Sequence, residues 1–392
     1  MHSYLEHILE SFNVATGWNA DNQYSNLTAS SRDLLDFSLP SGFILNVSAL
    51  SSGSSASSYS IKNLGGIVDG AASYFYCSPD HLLDDNKLST ENVDLIQVLR
   101  GYHVLQPPAA PEDAKFREVW HRGRRVDSKN SILYGKMYLP TNTLEALYIR
   151  QISPINQIVV STVSDARLRN GGTMMIQLQR NTGKWCSEFL YSTDEALFGL
   201  RGLYNFGFDA EAPPQQSWLS AGGEIYYGVF NKAPGVSSGL RYTTISAYTN
   251  TPMTMTVTLN PIMGQISASY AVMSTTNTTF ASRYDFNAFS YESDLTLGCE
   301  LWKRRPSDRS EPIESITEVR DDVSSTVLTG QEHTHMFSDE AVWKARMSTS
   351  SPTIRLLWEG RMKAFVFSVG SEVDLRPGQG LKSFGVELQY AS

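Results

Sequence analysis

The chain has 392 residues, 41% hydrophobic, 18% charged and 11% aromatic, with a formal net charge of −8. The acidic balance argues against nucleic acid as the main partner, and no run approaches the roughly 18 apolar residues of a spanning helix. A mean hydropathy of −0.25 leaves a membrane β-barrel open, because barrel strands give half their positions to a polar lumen.

In chain order, Tyr4, Leu5, Ile8, Leu9 and Phe12 form the apolar stripe of an amphipathic helix, with Glu6 and Glu10 opposite. These acids, and the lack of any Lys or Arg before Arg32, are unlike a signal peptide or a basic presequence. A barrel without such a leader is expected to reach an organelle's outer membrane from the cytosol. Asn13 to Asn26 is turn-rich. Thr28 to Phe37 reads as a second short helix, capped by Ser30 or Ser31, with Leu34, Leu35 and Phe37 as its apolar side. Pro40-Ser41-Gly42 closes a helical segment of residues 1–40, expected to plug the lumen or dock outside it.

From Gly42 the period changes from 3.6 to 2. Phe43, Leu45, Val47 and Ala49 alternate with Ile44, Asn46 and Ser48. A serine-rich turn over Ser51–Ser58 is expected before a strand at Tyr59–Leu64. The Gly65-Gly66 pair then signals a hairpin into Ile67–Cys77. After a polar loop, Leu95–Val104 reads as a weaker strand. Residues 105–129 break the pattern with Pro107-Pro108-Ala109-Ala110-Pro111 and Arg117, Arg122, Arg124 and Arg125 around Trp120. They read as an excursion outside the wall, either a solvated face or a dock for anionic headgroups.

Segments of alternating polarity then recur every ten to fifteen residues or so to the carboxyl end, the signature of a membrane barrel. Met253, Met255, Val257 and Leu259 alternate with three threonines. Leu295, Leu297, Cys299 and Leu301 alternate with Asp294, Thr296, Gly298 and Glu300. The apolar row is expected to face lipid and the polar row the lumen. Residues 303–338 form a second polar excursion. In the last segment Phe384, Val386, Leu388 and Tyr390 share one face with Lys382 as the exception. The count is about twenty strands over residues 41–392. The sheet must close, because an open edge in hydrocarbon leaves backbone groups unpaired at several kcal/mol each. A soluble sandwich or propeller is the competing fold, but the chain carries no blade motif.

Catalytic patterns are absent: there is no P-loop, GxGxxG or HExxH, and the one GxSxG match, Gly235 to Gly239, leads into an alternating strand segment and so makes no strand-to-helix elbow. An outer-membrane phospholipase is therefore disfavoured, and no enzyme activity or cofactor is expected. Cys77, Cys186 and Cys299 make no CxxC pair. His333 and His335 lack companion ligands at a metal spacing, so no metal is expected. Asp69, Glu145, Glu188, Glu224, Asp285, Arg283 and Arg355 read as lumen lining, or as a selectivity ring if the barrel conducts.

Several stretches resemble a known family. Ala15-Thr16-Gly17-Trp18-Asn19, Pro40-Ser41-Gly42 with Leu45 and Ser48-Ala49-Leu50-Ser51, and Val68-Asp69-Gly70 with Ser73-Tyr74-Phe75-Tyr76 resemble the fungal mitochondrial distribution and morphology protein 10 family. The resemblance implies a mitochondrial porin-like barrel of nineteen strands, the first and last parallel. It also implies an outer-membrane location at endoplasmic reticulum contact sites. There the barrel would anchor tether subunits of the encounter structure, which serves phospholipid exchange. It further implies a subunit of the sorting and assembly machinery, working with that machinery's other subunits on barrel precursors such as the import channel. Ser383, Gly385, Leu388 and Tyr390 resemble the mitochondrial β-signal, an edge strand offered for β-augmentation. Tyr74 and Tyr76 read either as an interfacial aromatic girdle in contact with membrane lipid or as a tether-binding pair. The alternative function is a metabolite or anion channel of the porin class.

Overall fold

The computed structural model describes residues 4–78, 90, 95–99, 101–109, 119–122, 124–126, 130–168, 170–208, 216–245, 251–275, 277–306, 337–376 and 380–391. The strands are β1 (Gly42–Ser52), β2 (Ser55–Leu64), β3 (Ile67–Ser78), β4 (Val119–His121), β5 (Arg124–Val126), β6 (Ser131–Leu139), β7 (Leu144–Ser153), β8 (Asn156–Ser164), β9 (Gly172–Asn181), β10 (Trp185–Ser192), β11 (Leu197–Phe206), β12 (Ser217–Gly228), β13 (Ala233–Ile245), β14 (Pro252–Asn260), β15 (Gln265–Thr275), β16 (Thr278–Asn287), β17 (Ser293–Pro306), β18 (Phe337–Ser348), β19 (Thr353–Met362), β20 (Phe365–Asp374) and β21 (Leu381–Ala391). All but β4 and β5, which form a separate small hairpin, belong to one nineteen-stranded sheet.

Consecutive strands of that sheet pair antiparallel, with β3 pairing directly to β6. The circle closes where β21 runs parallel to β1, from Gly42↔Gly385 to Ser48↔Ala391. Closure leaves no edge, which is what a bilayer demands of a sheet. No helix among the described residues is long and apolar enough to cross a membrane.

The two-residue alternation sorts the side chains as the sequence predicts. On β14, Met255, Val257 and Leu259 are exposed, while Thr254 and Thr256 are buried. On β17, Leu295, Leu297 and Leu301 face out and Thr296 and Glu300 face in. The exception on β21 has a local cause. A register shift against β20 lies between Glu372 and Val373, and Lys382 Nζ turns to donate to Glu372 Oε1 at 3.0 Å.

Two expectations need correction. Leu95–Val104 is not a strand. Leu95–Val98 is one helical turn, α3, whose Leu95, Val98 and Leu99 pack on the inward side chains Val342 and Val366. Their i, i+3, i+4 spacing is the helical period; the alternating reading overlooked it. The serine run is also not one long turn, since β1 reaches Ser52 and β2 begins at Ser55. Serines pair across the strands, with Ser48 Oγ donating to Ser58 Oγ at 2.8 Å. Lumen-facing serine and turn serine look alike in sequence. The count of nineteen is therefore one below the pattern-based count.

The second short helix needs a smaller correction. It is α2 (Ala29–Leu35), with Thr28 rather than Ser30 or Ser31 at its N-cap. The first helix is α1 (Tyr4–Thr16), burying Tyr4, Ile8 and Phe12. Between them, Gly17 takes φ +69 and Trp18 N donates to Asn13 O at 2.9 Å, the left-handed reversal that commonly ends a helix. Asn19 then caps a 3-10 turn by accepting from Asp21 N at 2.9 Å. The Ala-Thr-Gly-Trp-Asn stretch is thus a chain reversal with Trp18 buried behind it.

Candidate functional site

Residues 4–37 lie inside the barrel, and two kinds of wall hold them. Tyr4, Ile8 and Phe12 of α1 form one cluster with Ala56, Phe75, Cys77, Ile132, Tyr134 and Ile149. These wall residues are the inward row of β2, β3, β6 and β7. Phe75 meets the Tyr4 ring edge-on at 5.5 Å and the Tyr134 ring at 4.8 Å. The lumen is apolar where it receives the helix.

Farther round, the wall is polar. Asn22 Nδ2 donates to Asn181 Oδ1 at 2.7 Å and to Gly183 O at 3.0 Å. Asn205 Nδ2 donates back to Asn22 Oδ1 at 2.7 Å. Gln23 Nε2 reaches Gln179 Oε1 at 3.2 Å. Arg241, buried on β13, donates to Asp21 O at 3.1 Å and Asn26 O at 3.4 Å. Arg283 Nη1 and Nη2 grip the Asp36 carboxylate at 2.6 and 3.0 Å, a bidentate pair.

The stretch after α3 completes the filling. His103 Nε2 meets Asp21 Oδ1 at 2.5 Å, Gln106 N donates to Asp21 Oδ2 at 3.0 Å, and Ser30 Oγ donates to His103 O at 2.7 Å. Leu105 is buried too, so the first residues of the 105–129 stretch lie against the plug. Most of 110–129, the whole of 307–336 and the pair His333 and His335 lie outside the described residues. Burial pushes the Asp21 carboxyl up, but its bonds to His103 and Gln106 N outweigh this and hold it below the ordinary value. Burial pushes His103 down, and Asp21 more than reverses that, so its pKa is raised. A cavity of about 610 Å³ remains between Tyr24–Ser31 and the wall from Arg201 to Asp285.

The lumen-lining charges predicted from sequence are largely paired. Arg201 bridges Glu188 at 3.4 Å and Glu224 at 3.1 Å. Arg283 also reaches Asp285 at 3.0 Å, Arg355 reaches Glu372 at 3.5 Å, and Tyr138 Oη donates to Glu145 at 3.0 Å. Lys344 and Glu359 form a fully buried pair at 2.6 Å.

The other predicted residues sit on the outside and at the seam. Tyr74 and Tyr76 are 53% and 43% exposed, with Phe75 between them turned inward. At its level Tyr74 has small neighbours, Ser57 on β2 and Gly135 on β6, so its ring stands proud of the wall. Leu388 and Tyr390 point outward on β21, and the Tyr390 ring lies 5.4 Å from Phe365. Gly385 points inward, where a Cβ would collide with the Pro40 carbonyl. That glycine lets the chain pass from plug to wall, whatever else it does. Tyr74 and Tyr390 share one outer arc, about three strand spacings or ~14 Å apart. The plug's polar latch went unseen in sequence, because Asn22 and Asn181 are 159 residues apart.

Among known families, the model described as mitochondrial distribution and morphology protein 10 matches residues 1–341 and 324–392. Proteins of that name from Phaeosphaeria nodorum and Sclerotinia sclerotiorum are 41% and 43% identical over 404 and 410 aligned residues. The Yarrowia lipolytica protein is 41% identical over 392. Each alignment covers 100% of this chain and 100% of the relative.

Proposed function

We propose a function from one premise: the chain belongs to the mitochondrial distribution and morphology protein 10 family. Membership supports a role in mitochondrial distribution and morphology, and with the barrel fold it fits a mitochondrial membrane. The relatives carry the name of a morphology protein, not of an enzyme. The finer reading is an outer-membrane scaffold at endoplasmic reticulum contact sites. It anchors the tether subunits of the encounter structure and so supports phospholipid exchange. It also serves as a subunit of the sorting and assembly machinery that matures barrel precursors, the import channel among them.

The observation that carries this reading is the filled lumen. A barrel plugged by α1, α2 and the stretch after α3 has much of its inner surface committed to itself. Its outer surface and loops are what remain for partners, which favours a scaffold over a metabolite channel. Tyr74 and Tyr76 are the proposed tether contact, since exposed tyrosines on a rigid wall supply anchor area at low entropic cost. Ser383, Gly385, Leu388 and Tyr390 are the proposed sorting signal, read from the strand that closes the barrel last.

The test replaces Tyr74 and Tyr76 with Ala and isolates the barrel from mitochondria in mild detergent. Tether subunits are expected to be lost while the assembly-machinery subunits stay bound and the barrel keeps its gel mobility. Undiminished tether recovery would return the two tyrosines to the role of a lipid-facing girdle.

A further inference from the structure

The barrel's two ends differ. One carries the long connections from β3 to β6 and from β17 to β18 together with the carboxyl terminus; the other carries only short turns. Among the described barrel-strand side chains, no carboxylate points to the outside. Arg150, Arg180 and Lys303 do, each within a few residues of its strand end, and all at the long-loop end. Arg150 lies between the inward Ile149 and Gln151, and Arg180 between the inward Gln179 and Asn181. The alternation therefore sends both outward.

Arg150 and Arg180 flank one strand: Arg150 is opposite Ile158 on β8, and Arg180 is opposite Asn156 two residues away. Lys184 follows in the next hairpin, its Nζ 5.9 Å from the Tyr204 ring. Trp185, 58% exposed, lies 4.5 Å from that ring, and Tyr204 meets Phe206 edge-on at 4.8 Å. In register with Arg150, and two residues below Arg180, the same strands present Ile158, Leu178 and Phe189 outward. Among the described residues, no acidic side chain lies within ion-pair distance of Arg150, Arg180 or Lys184, whereas the charges of the lumen are largely paired. The short turns of the opposite end mix Asp165, Asp194, Glu195 and Glu292 with Arg167, Lys232 and Arg376.

We propose that the outer rim of β7 to β11 at the long-loop end is a binding site for an anionic phospholipid. Its headgroup is held by Arg150, Arg180 and Lys184, with its glycerol backbone against Trp185 and Tyr204. Outward cations in a membrane wall are tolerated only where phosphates can reach them, and interfacial aromatics mark that depth. Unpaired cations above an apolar wall fit a charged head joined to acyl chains better than an acidic protein segment, which would leave that wall to other lipid. The site depends on the barrel lying in a bilayer and not on the tethering role.

The test adds dioleoyl phosphatidylglycerol or dioleoyl phosphatidylcholine to delipidated full-length protein in detergent and reads retained lipid by native mass spectrometry. Each near-surface cation contributes a severalfold preference, so the wild type should retain the anionic lipid at least about fivefold over the zwitterionic one. R150Q/R180Q/K184Q should lose that preference, R150K/R180K should keep most of it, and R167Q/K232Q/R376Q at the other end should not change it. Millimolar glycerol phosphate should not displace the bound lipid. Equal retention of the two lipids by wild type, an unchanged triple variant, or displacement by glycerol phosphate would each overturn the proposal. Should the triple variant not fold, a photoactivatable phosphatidylglycerol on the wild type decides. Adducts are expected on peptides from residues 144–164 and 172–208, and adducts spread evenly around the barrel would refute the site.

Discussion

The lumen holds its plug in two ways, and the contrast shows how a barrel is sealed. At β2 to β7 the inward row is apolar, and α1 binds there as one helix binds another, by burying Ile8 and Phe12. At β9 to β16 the inward row is mostly polar, with small apolar patches at Cys186, Leu203, Ala271 and Ala281, and residues 19–36 are fixed in place through Asn22, Gln23, Tyr24 and Asp36. The apolar dock gains from removal of water, which is strong and tolerant of small shifts. The polar dock gains little net energy per bond but is costly to leave half-made. The first supplies adhesion and the second supplies register.

The largest effect should come from the apolar side. Phe12→Ala removes a fully buried ring, a change costing about 3–5 kcal/mol in a core. The barrel wall should survive while α1 releases, and a water-soluble thiol reagent should then reach Cys77, which shares its cluster. A Cys77 that stays protected in this variant would mean the polar dock alone holds the plug.

Asn22→Ala should cost less, about 1–3 kcal/mol, because it strips partners from Asn181 and Asn205. Here residues 19–26 should become sensitive to limited proteolysis while Cys77 stays closed. Loosening of both halves together would show that the two docks are one cooperative unit.

The smallest effect is the pH dependence of the Asp21–His103 contact. Asp21 titrates lower in the folded state, so its contribution is present above about pH 4 and fades as pH falls through the depressed value. His103 titrates higher, so its contribution is full below about pH 6.5 and fades as pH rises through the raised value. The pair should hold best between those limits. Thermal stability should decline from about pH 6 to pH 9, and less so in His103→Gln; equal declines would assign the pH dependence to other groups.

The wall was legible in the sequence for a physical reason. A strand between lipid and lumen must alternate, and Met253 to Leu259 do so without a break. The helix stripe from Tyr4 to Phe12 was equally plain. What sequence could not supply were the pairings made across the lumen, such as Asp21 with His103 and Asp36 with Arg283. These polar residues look like any solvated loop until the fold brings them together. Leu95, Val98 and Leu99 misled because a short apolar stretch serves a strand or a helical turn equally well. Gly385 fitted a sorting pattern, while its need to let Pro40 pass was visible only in three dimensions.

The account rests on a barrel whose interior is occupied, and the native cysteines report on it directly. Cys77 and Cys186 are 0% and 1% exposed on the inward face. In protein reconstituted into vesicles, a water-soluble thiol reagent should leave both unlabelled until denaturant is added. Prompt labelling of Cys77 in the native membrane would mean an open, water-filled lumen, and would return the channel reading to first place.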